Sequence, residues 1–320
     1  MGCGLIGRKR AAALGSHRLV AVTDPDRERA EALALFQPGT VVVPSFREAV
    51  GREDVDIVIV ATTHDQLAPI TLAALEAGKN VLVEKPGARN AAEFAPVVEL
   101  ARKKGRTVKV GFNHRFHPAL LRARQYVDQG ALGDLMFVRG RYGHGGRVGY
   151  EKEWRAVPEI SGGGELLDQG MHLIDLARWF LGDFTTVEGF AHTYFWDMPV
   201  DDNAFMLLRT AEERTAFLHV SWSEWKNTFS LEIYGRTGKL QIDGLGGSYG
   251  VERLSFYEMS PQMGPPATTI FEYPMGDRSW QLEMEDLVAA IETGRAPLGD
   301  ARDCLAALRV VEAIYARSKA

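Results

Sequence analysis

Short apolar runs alternate with amphipathic stretches along the first third of the chain. Leu19-Val20-Ala21-Val22, Val41-Val42-Val43, Asp56-Ile57-Val58-Ile59-Val60, Val81-Leu82-Val83 and Thr107-Val108-Lys109-Val110-Gly111 read as strands, several of them apolar on both faces. Helical spacing fills the gaps. One helix runs to Leu14, a second starts after Asp24-Pro25, and a third covers Leu67 to Ala77 and stops at Gly78. A fourth covers Ala91 to Lys104, with Asn90 as its cap and Glu93 three residues on. Pro96 inside that helix should bend it or shift its start. Strand-helix alternation of this kind predicts a parallel, doubly wound sheet.

The rhythm changes after about residue 116. A helix from Pro118 to Gln129 ends at Gly130, and strands then dominate. They are predicted over Leu135 to Tyr142, Val187 to Tyr194, Ala204 to Leu208, Thr215 to Trp222, Phe229 to Tyr234, Lys239 to Ile242, Arg253 to Tyr257 and Thr269 to Tyr273. Many alternate apolar and polar, as in a sheet with one covered face. One helix, Gly163 to Leu181, interrupts them, and Trp280 to Thr293 and Ala301 to Ser318 close the chain. Pro261 to Pro266 reads as a surface loop. The predicted fold is an α/β domain over residues 1–116, followed by an α+β domain over 117–320 built on a large, mainly antiparallel open sheet.

Composition narrows the function classes. The 320 residues are 46% hydrophobic and 25% charged, ordinary for globular domains. A net charge of -5 gives no electrostatic case for nucleic acid or an anionic membrane as a partner. No apolar run approaches the ~18 residues of a membrane span. Cys3 and Cys304 lie at opposite ends of the chain, which argues against a disulfide framework or a zinc site and fits a reducing, cytoplasmic setting. The histidines show no helical H-x3-H or H-E-x-x-H pattern, so no metal is expected.

Three motifs carry chemistry. Gly2-Cys3-Gly4-Leu5-Ile6-Gly7 fits G-x-G-x-x-G, in which glycines permit a tight turn and backbone approach to a pyrophosphate. Asp24, about 17 residues past Gly7, stands near the spacing of a carboxylate on an adenosine ribose, or caps the helix from Pro25. Glu84-Lys85-Pro86 ends a buried strand, and Pro86 biases Lys85 toward an extended backbone. An amine is thereby held at the sheet edge where ligands bind in open α/β folds. A solvated strand-end lysine is the plainer alternative. On the interrupting helix, Asp168 and His172 are i,i+4 neighbours behind Ser161-Gly162-Gly163-Gly164. A merely wet polar face is the alternative there.

In this order, Gly2-x-Gly4-x-x-Gly7, Glu84-Lys85-Pro86 and Gly164-x3-Asp168-x3-His172 resemble the Gfo/Idh/MocA oxidoreductase family over nearly the whole chain. The resemblance implies an N-terminal Rossmann domain that binds NAD or NADP, and a C-terminal domain that builds the substrate cleft and the interface of a homodimer or homotetramer. The implied cofactor contacts are Gly2, Gly4, Leu5, Ile6, Gly7, Asp24, Thr62, Thr63, His64, Glu84, Lys85 and Asn113. Lys85, Asp168 and His172 are implied to be catalytic. Trp154 and Arg155, with Arg115, Asp168 and His172, are implied to meet a sugar, inositol or nucleotide sugar, and the residues themselves add His144 and Arg147 as candidates for the same substrate.

The chemistry is coherent. Oxidising a secondary alcohol needs a hydride acceptor, supplied by the cofactor, and a base for the hydroxyl proton. A histidine side chain ordinarily titrates near neutral pH, so His172 can take or give that proton. Lys85 polarises the oxygen or, if burial lowers its pKa, serves as the base itself. Asp168 orients the imidazole or holds a hydroxyl. Tyr142 to Arg147 and Trp222-x-x-Trp225-Lys226-Asn227 mix aromatics with hydrogen-bonding groups suited to sugars, and Gly244 to Gly250 could lie against a phosphate. Asp24 predicts NAD over NADP. A lyase or glycosidase that recycles NAD, and a non-catalytic NAD-binding regulator, are the competing classes.

The departure from the family is at Gly2. A doubly wound dinucleotide fold places a central strand before the glycine turn, and here only Met1 stands before it. The expectation is that this strand lies upstream of Met1, or that another segment takes its place.

Overall fold

In a computed structural model, which describes residues 1–247, 249–262 and 264–318, the early alternation forms α1 (Leu5–Ala12), β1 (Ala21–Val22), α2 (Arg27–Ala34), β2 (Val41–Val42), α3 (Phe46–Gly51), β3 (Ile57–Val60), α4 (His64–Glu76), β4 (Asn80–Val83), α5 (Ala91–Lys104) and β5 (Val108–Val110). The later chain forms α6 (Pro118–Asp128), β6 (Leu135–Gly143), α7 (Pro158–Ser161), α8 (Met171–Leu181), β7 (Phe184–His192), β8 (Asn203–Thr210), β9 (Thr215–Ser221), β10 (Thr228–Gly235), β11 (Gly238–Asp243), β12 (Glu252–Glu258), β13 (Ala267–Tyr273), α9 (Ser279–Thr293) and α10 (Ala301–Ser318). Two units result. The first comprises Met1–Asn113, Glu159–Gly162 and Trp280–Leu305, and the second comprises His114–Pro158, Gly163–Ser279 and Ala306–Ala320. Residue 116, the boundary expected from sequence, lies just past Asn113, but two later segments return to the first unit.

The first unit is Rossmann-like. β3, β4 and β5 are parallel, with Val60 opposite Val83 and Val83 opposite Val110. β1 and β2 form a separate parallel pair. Val81, Leu82 and Val83 are fully buried, as a strand covered on both faces requires. Leu14, Leu82, Met284 and Leu287 form one apolar cluster, and Cys3, Ala11, Val22, Ala30 and Leu33 another.

Several local expectations change. The Asp-Pro start is replaced by Asp26, whose side chain accepts from the Arg29 N–H to cap α2. α5 keeps its predicted ends with Pro96 inside it, and Asn90 Oδ1 accepts from Glu93 N at 2.9 Å as the cap. The first predicted strand shrinks to Ala21–Val22, and Leu19 is held by side chains instead, its N–H donating to Gln37 Oε1 and its carbonyl accepting from Thr40 Oγ1 at 2.8 Å.

The second unit is built on one eight-stranded sheet in the order β13-β12-β11-β10-β6-β9-β8-β7. Only β6–β9 is parallel. α8 covers one face. A Cβ on Gly140 would lie 3.0 Å from Leu231, 3.2 Å from Leu218 and 3.4 Å from Leu173, so the glycine lets the helix settle on the sheet. The other face shows Phe190, Leu207 and Phe217, each about half exposed.

The long helix expected from Gly163 is broken into parts. α7 ends at Ser161, Gly162 takes a φ of +79°, and Leu166–Gly170 form a wide π turn before α8. Asp201 explains where it restarts. Its carboxylate accepts from Gly164 N at 2.9 Å and Leu166 N at 2.8 Å, satisfying donors that a helix start leaves open.

Candidate functional site

The glycine turn divides by role. A Cβ on Gly2 would stand 2.2 Å from Ala61 O, and one on Gly7 1.9 Å from Gly2 O. Those two glycines are demanded by the protein's own backbone. Gly4 has nothing within 4 Å of its would-be Cβ. It is the N-cap of α1, no side chain bonds to the cap, and the first turn holds no acidic residue. The N–H groups of Leu5 and Ile6 there have no intrahelical partner and suit an anion. The residues therefore fit a pyrophosphate. Asp24, at the end of β1, accepts from Cys3 N at 2.6 Å and from Asp26 N at 2.9 Å, which fixes its carboxylate beside the turn.

The other sequence-predicted residues of this unit stand at the same ends of the strands. Thr62, Thr63 and His64 follow β3. Thr63 is the N-cap position of α4, and its hydroxyl donates to Asp65 at 2.6 Å. His64 is buried and donates from Nδ1 to Ser161 O at 2.8 Å. Lys85 follows β4 and is half-buried, and its peptide bond to Pro86 is cis. Cys304 Sγ donates to Pro86 O at 3.1 Å, tying the turn to α10. Asn113 is buried at the start of a 3-10 turn, Asn113–Phe116.

Glu84 is committed elsewhere. Its carboxylate accepts from Arg10 Nε at 2.6 Å, inside the unit, and Arg10 also pairs with Glu283 of α9. Arg10 and Glu283 are essentially inaccessible. Burial pushes the Glu283 carboxyl up, and Arg10 only partly offsets it. For Arg10, burial would lower the pKa, but Glu283 and Glu84 outweigh it and raise it. The cluster locks the helix after the glycine turn to the strand end that carries Lys85. A Cβ on Gly111 would strike both Arg10 and Glu84 at 2.8 Å, so that glycine makes room for the pair.

In the second unit the π turn carries Asp168 and the first turn of α8 carries His172, both about 5% exposed. Arg155 Nε donates to Asp168 at 3.0 Å, so Arg155, expected at substrate, holds the carboxylate. Burial would lower the Arg155 pKa, yet Asp168 leads the charges that raise it. The His172 ring stacks on His114 with centroids 3.8 Å apart and planes 24° apart. Tyr142 stands edge-on to His114 at 5.2 Å, and Gln169 Nε2 donates to Tyr249 at 3.5 Å. Burial raises the Tyr142 and Tyr249 phenols, which keeps them protonated donors at neutral pH. The result is a wall of imidazoles, phenols and one oriented carboxylate.

The remaining predictions scatter. Arg115 is buried and forms a two-pronged pair with Asp175, at 2.7 and 2.6 Å. That is a core ion pair, not an arm for substrate. His144 accepts from Gly146 N at Nδ1, and Arg147 reaches Glu153 at 2.6 Å from an exposed position. Trp154 carries the Arg155 guanidinium over its ring at 4.6 Å. Trp222 is wholly buried with Tyr150, Met198 and Val200, so its indole is core, while Trp225 is exposed. In the loop from Gly244, Gly246 N points at the Glu252 carboxylate at 3.4 Å, a poor setting for a phosphate. Ser248 lies outside the described residues.

Sequence reasoning missed three things. The Asp201 cradle, completed by Tyr315 OH at 2.7 Å, left only the polar run Asp201-Asp202-Asn203 as a signal. The His114 stack left none, because stacking partners are far apart in sequence. The use of Gly164 is also different from a ligand contact: its Cβ would sit 1.9 Å from Asp201 O, so backbone, not ligand, requires it.

Comparison with known proteins adds three findings. Residues 1–112 match the oxidoreductase family with an NAD-binding Rossmann fold, and residues 120–241 match the GFO/IDH/MocA C-terminal domain. A levoglucosan dehydrogenase of Pseudarthrobacter phenanthrenivorans is 30% identical over 62% of this chain and 51% of its own. Inositol 2-dehydrogenase 2 of Saccharopolyspora erythraea is 33% identical over 60% of this chain and 56% of its own. The chain thus spans a little over half the length of these curated relatives. An oxidoreductase domain protein from Kribbella flavida superposes with a TM-score of 0.89 at 26% identity, over 99% of this chain and 95% of that one.

Proposed function

We propose a function from one premise: the chain belongs to the Gfo/Idh/MocA oxidoreductase family, whose two domain models together cover well over half of it. It moves a hydride between a secondary alcohol of a sugar, sugar nucleotide or inositol and NAD. The observation that carries this reading is the oriented, buried Asp168–His172 pair, with Arg155 on the carboxylate and His114 on the imidazole. The nicotinamide accepts or returns the hydride. His172 and Lys85 are the two candidates for moving the hydroxyl proton. Asp168 holds a hydroxyl or orients His172, and the Tyr142 and Tyr249 phenols donate to sugar oxygens. The named relatives act on levoglucosan and inositol, which favours a cyclic polyol.

Asp24 supports NAD over NADP, since its fixed carboxylate accepts from ribose hydroxyls and repels a 2′-phosphate. The half-exposed Phe190, Leu207 and Phe217 support a homodimer or homotetramer through the open sheet face. No described helix is long and apolar enough to cross a membrane. Two buried free thiols suit a cytoplasmic setting. The test is formation of reduced nicotinamide across a panel of anhydrosugars, aldoses, inositols and nucleotide sugars. Turnover without net NADH would favour a recycling lyase or glycosidase, and no turnover on any member with intact NAD binding would favour a regulator. Comparable dissociation constants for NAD and NADP would defeat the cofactor preference.

A further inference from the structure

Trp225 stands out in the second unit. It is 72% exposed, and its backbone takes a φ of +57°, a left-handed conformation that a bulky side chain rarely adopts. Such strain persists only where the surroundings over-determine it, and it gathers at ligand sites. Here the surroundings do so. Glu224 N donates to His144 O at 3.2 Å, and Lys226 N donates to Glu224 O at 2.6 Å. Gly145 passes close by, where a Cβ would stand 3.2 Å from Trp225 Cα.

Phe195 meets Trp225 edge to face, with centroids 4.7 Å apart and planes at 82°. It is 51% exposed and is held as firmly. The buried Asp202 carboxylate accepts from Tyr194 N at 2.9 Å, Phe195 N at 2.7 Å and Trp196 N at 2.9 Å, so one side chain fixes three successive residues. Trp196 lies 5.2 Å from Phe195, and its Nε1 donates to Trp222 O at 3.0 Å. Gly146 leaves room for that indole, since a Cβ there would stand 2.5 Å from its ring. Two aromatic rings are thus presented to solvent on a fixed backbone, and rigid rings lose little freedom on binding.

The rings continue to the wall that carries Asp168. Trp196 is 5.7 Å from Tyr150, and Tyr150 stands 5.9 Å from His144. Arg147 lies over the Tyr150 ring at 5.6 Å and shares Glu153 with Arg155, the residue that holds Asp168. Burial raises the Tyr150 phenol, and the charge of Asp168 raises it further. From Tyr150 through Trp196 and Phe195 to Trp225, a line of rings leads from the proposed site to the surface. Each step is comparable to the width of a pyranose. Glu224 and Lys226 flank the exposed indole in the chain, and Asn227 follows. Aromatic faces bordered by amide and charged groups suit the C–H faces and hydroxyl rims of sugars. The centre of a protein interface is depleted of such charges.

We propose that Phe195 and Trp225 form a platform for a second sugar ring, and that the substrate is a glycoside of at least two pyranose rings. One ring meets Asp168 and His172, and the ring joined to it by a glycosidic bond stacks on the platform. This deepens the proposed function and rests on it for the reacting ring. The platform holds substrate and transition state alike, so it acts on KM and not on kcat.

The test sets glucose beside cellobiose, maltose and trehalose, and the parent beside Trp225→Ala and Phe195→Ala. In the parent, at least one disaccharide should show a kcat/KM about tenfold or more above glucose. Trp225→Ala should raise the KM of that disaccharide about tenfold, with its kcat, the glucose KM and the melting temperature unchanged. Phe195→Ala should act in the same direction, and Trp225→Tyr should keep most of the affinity. Isothermal titration of each disaccharide into the NAD-loaded protein separates the two readings. Binding that Trp225→Ala weakens, without formation of NADH, keeps the platform and sinks the hydride transfer. Formation of NADH from glucose as efficient as from every disaccharide overturns the platform and leaves the dehydrogenase standing. So does a Trp225→Ala variant that matches the parent on the disaccharides. Neither binding nor turnover with any of the three also overturns the platform. A smaller oligomer for Trp225→Ala in sedimentation does so as well, because it would assign the two rings to a contact between copies.

Discussion

The two units prepare their chemistry by different means. In the first, the proposed site rests on backbone: a glycine turn, a helix start with no side-chain cap, and strand ends followed by Asp24 and Lys85. Its charged side chains, Arg10, Glu84 and Glu283, face inward and bind elements together. In the second, the proposed site rides on side chains of a π turn and a helix, and the charged neighbour Arg155 bonds directly to Asp168, the carboxylate proposed to meet substrate. An ion pair in the first unit should therefore register as stability, and one in the second as turnover. Each prediction below presses on that contrast.

The largest expected effect is on the chemistry. Lys85→Ala and His172→Ala should each lose about 10²–10⁴-fold in kcat and keep NAD affinity, the usual span for a positioned acid–base group. Steady-state kinetics with the best alcohol of the panel checks this. If either variant stays within about threefold of the parent, that residue is not catalytic.

Next comes the matched pair Arg10→Met and Arg155→Met. Removing Arg10 leaves two buried carboxylates facing each other and should cost about 3–5 kcal/mol in denaturant unfolding. Adding Glu84→Gln and Glu283→Leu should recover most of it. Arg155→Met should cost less in unfolding than Arg10→Met, because it leaves one buried carboxylate rather than two and Arg155 is the more accessible arginine, yet should lower kcat about tenfold by loosening the hold on Asp168. A large stability loss at Arg155 and none at Arg10 would invert the contrast.

A smaller effect is written in pH. Burial pushes the Asp202 carboxyl up, but Asn203 and the backbone N–H groups of Trp196, Tyr194 and Phe195 outweigh it and hold the pKa low. Such a group binds fewer protons folded than unfolded. Its contribution is present above about pH 4 and is lost as pH falls through the folded value. Asp202→Asn should cost about 1.5–3 kcal/mol at neutral pH and flatten the acid limb of the stability curve. An unchanged acid limb in the variant would remove Asp202 from the account.

The smallest effect separates two glycines. Gly4→Ala should leave melting unchanged and weaken NAD about tenfold, roughly 1.4 kcal/mol, because only a bound pyrophosphate meets the new methyl. Gly7→Ala should lower the melting temperature as well, since its Cβ would stand 1.9 Å from Gly2 O. Isothermal titration with melting curves distinguishes the two.

The contrast also explains what the sequence discloses. Backbone devices are local, so Gly2-x-Gly4-x-x-Gly7, Lys85-Pro86 and the alternating strands of the second unit could be read directly, and the strands appear within a few residues of their predicted ends. Side-chain arrangements depend on residues far apart. Nothing near His172 announces His114, nothing near Gly164 announces Asp201, and Arg115 shows its partner Asp175 only in the fold. Trp222 looked like a sugar platform because aromatic residues carry the same letter in a core and in a cleft. The return of residues 280–305 to the first unit was equally hidden, since helical periodicity marks an apolar face but not what it packs on.

The π turn at Leu166–Gly170 fixes the phase of Asp168 against His172. Each residue of an α-helix advances the side chain by about 100°, and wide turns of this kind arise most simply as one extra residue within a helix. Deleting one residue between Asp168 and His172 would let the segment relax to a regular helix and shorten their spacing from i,i+4 to i,i+3, shifting the carboxylate relative to the imidazole. Substitutions along this segment can drift, but its length cannot. Among descendants of this chain, the count of residues separating Gly164 from His172 should be a stricter inheritance than the identity of most residues between them.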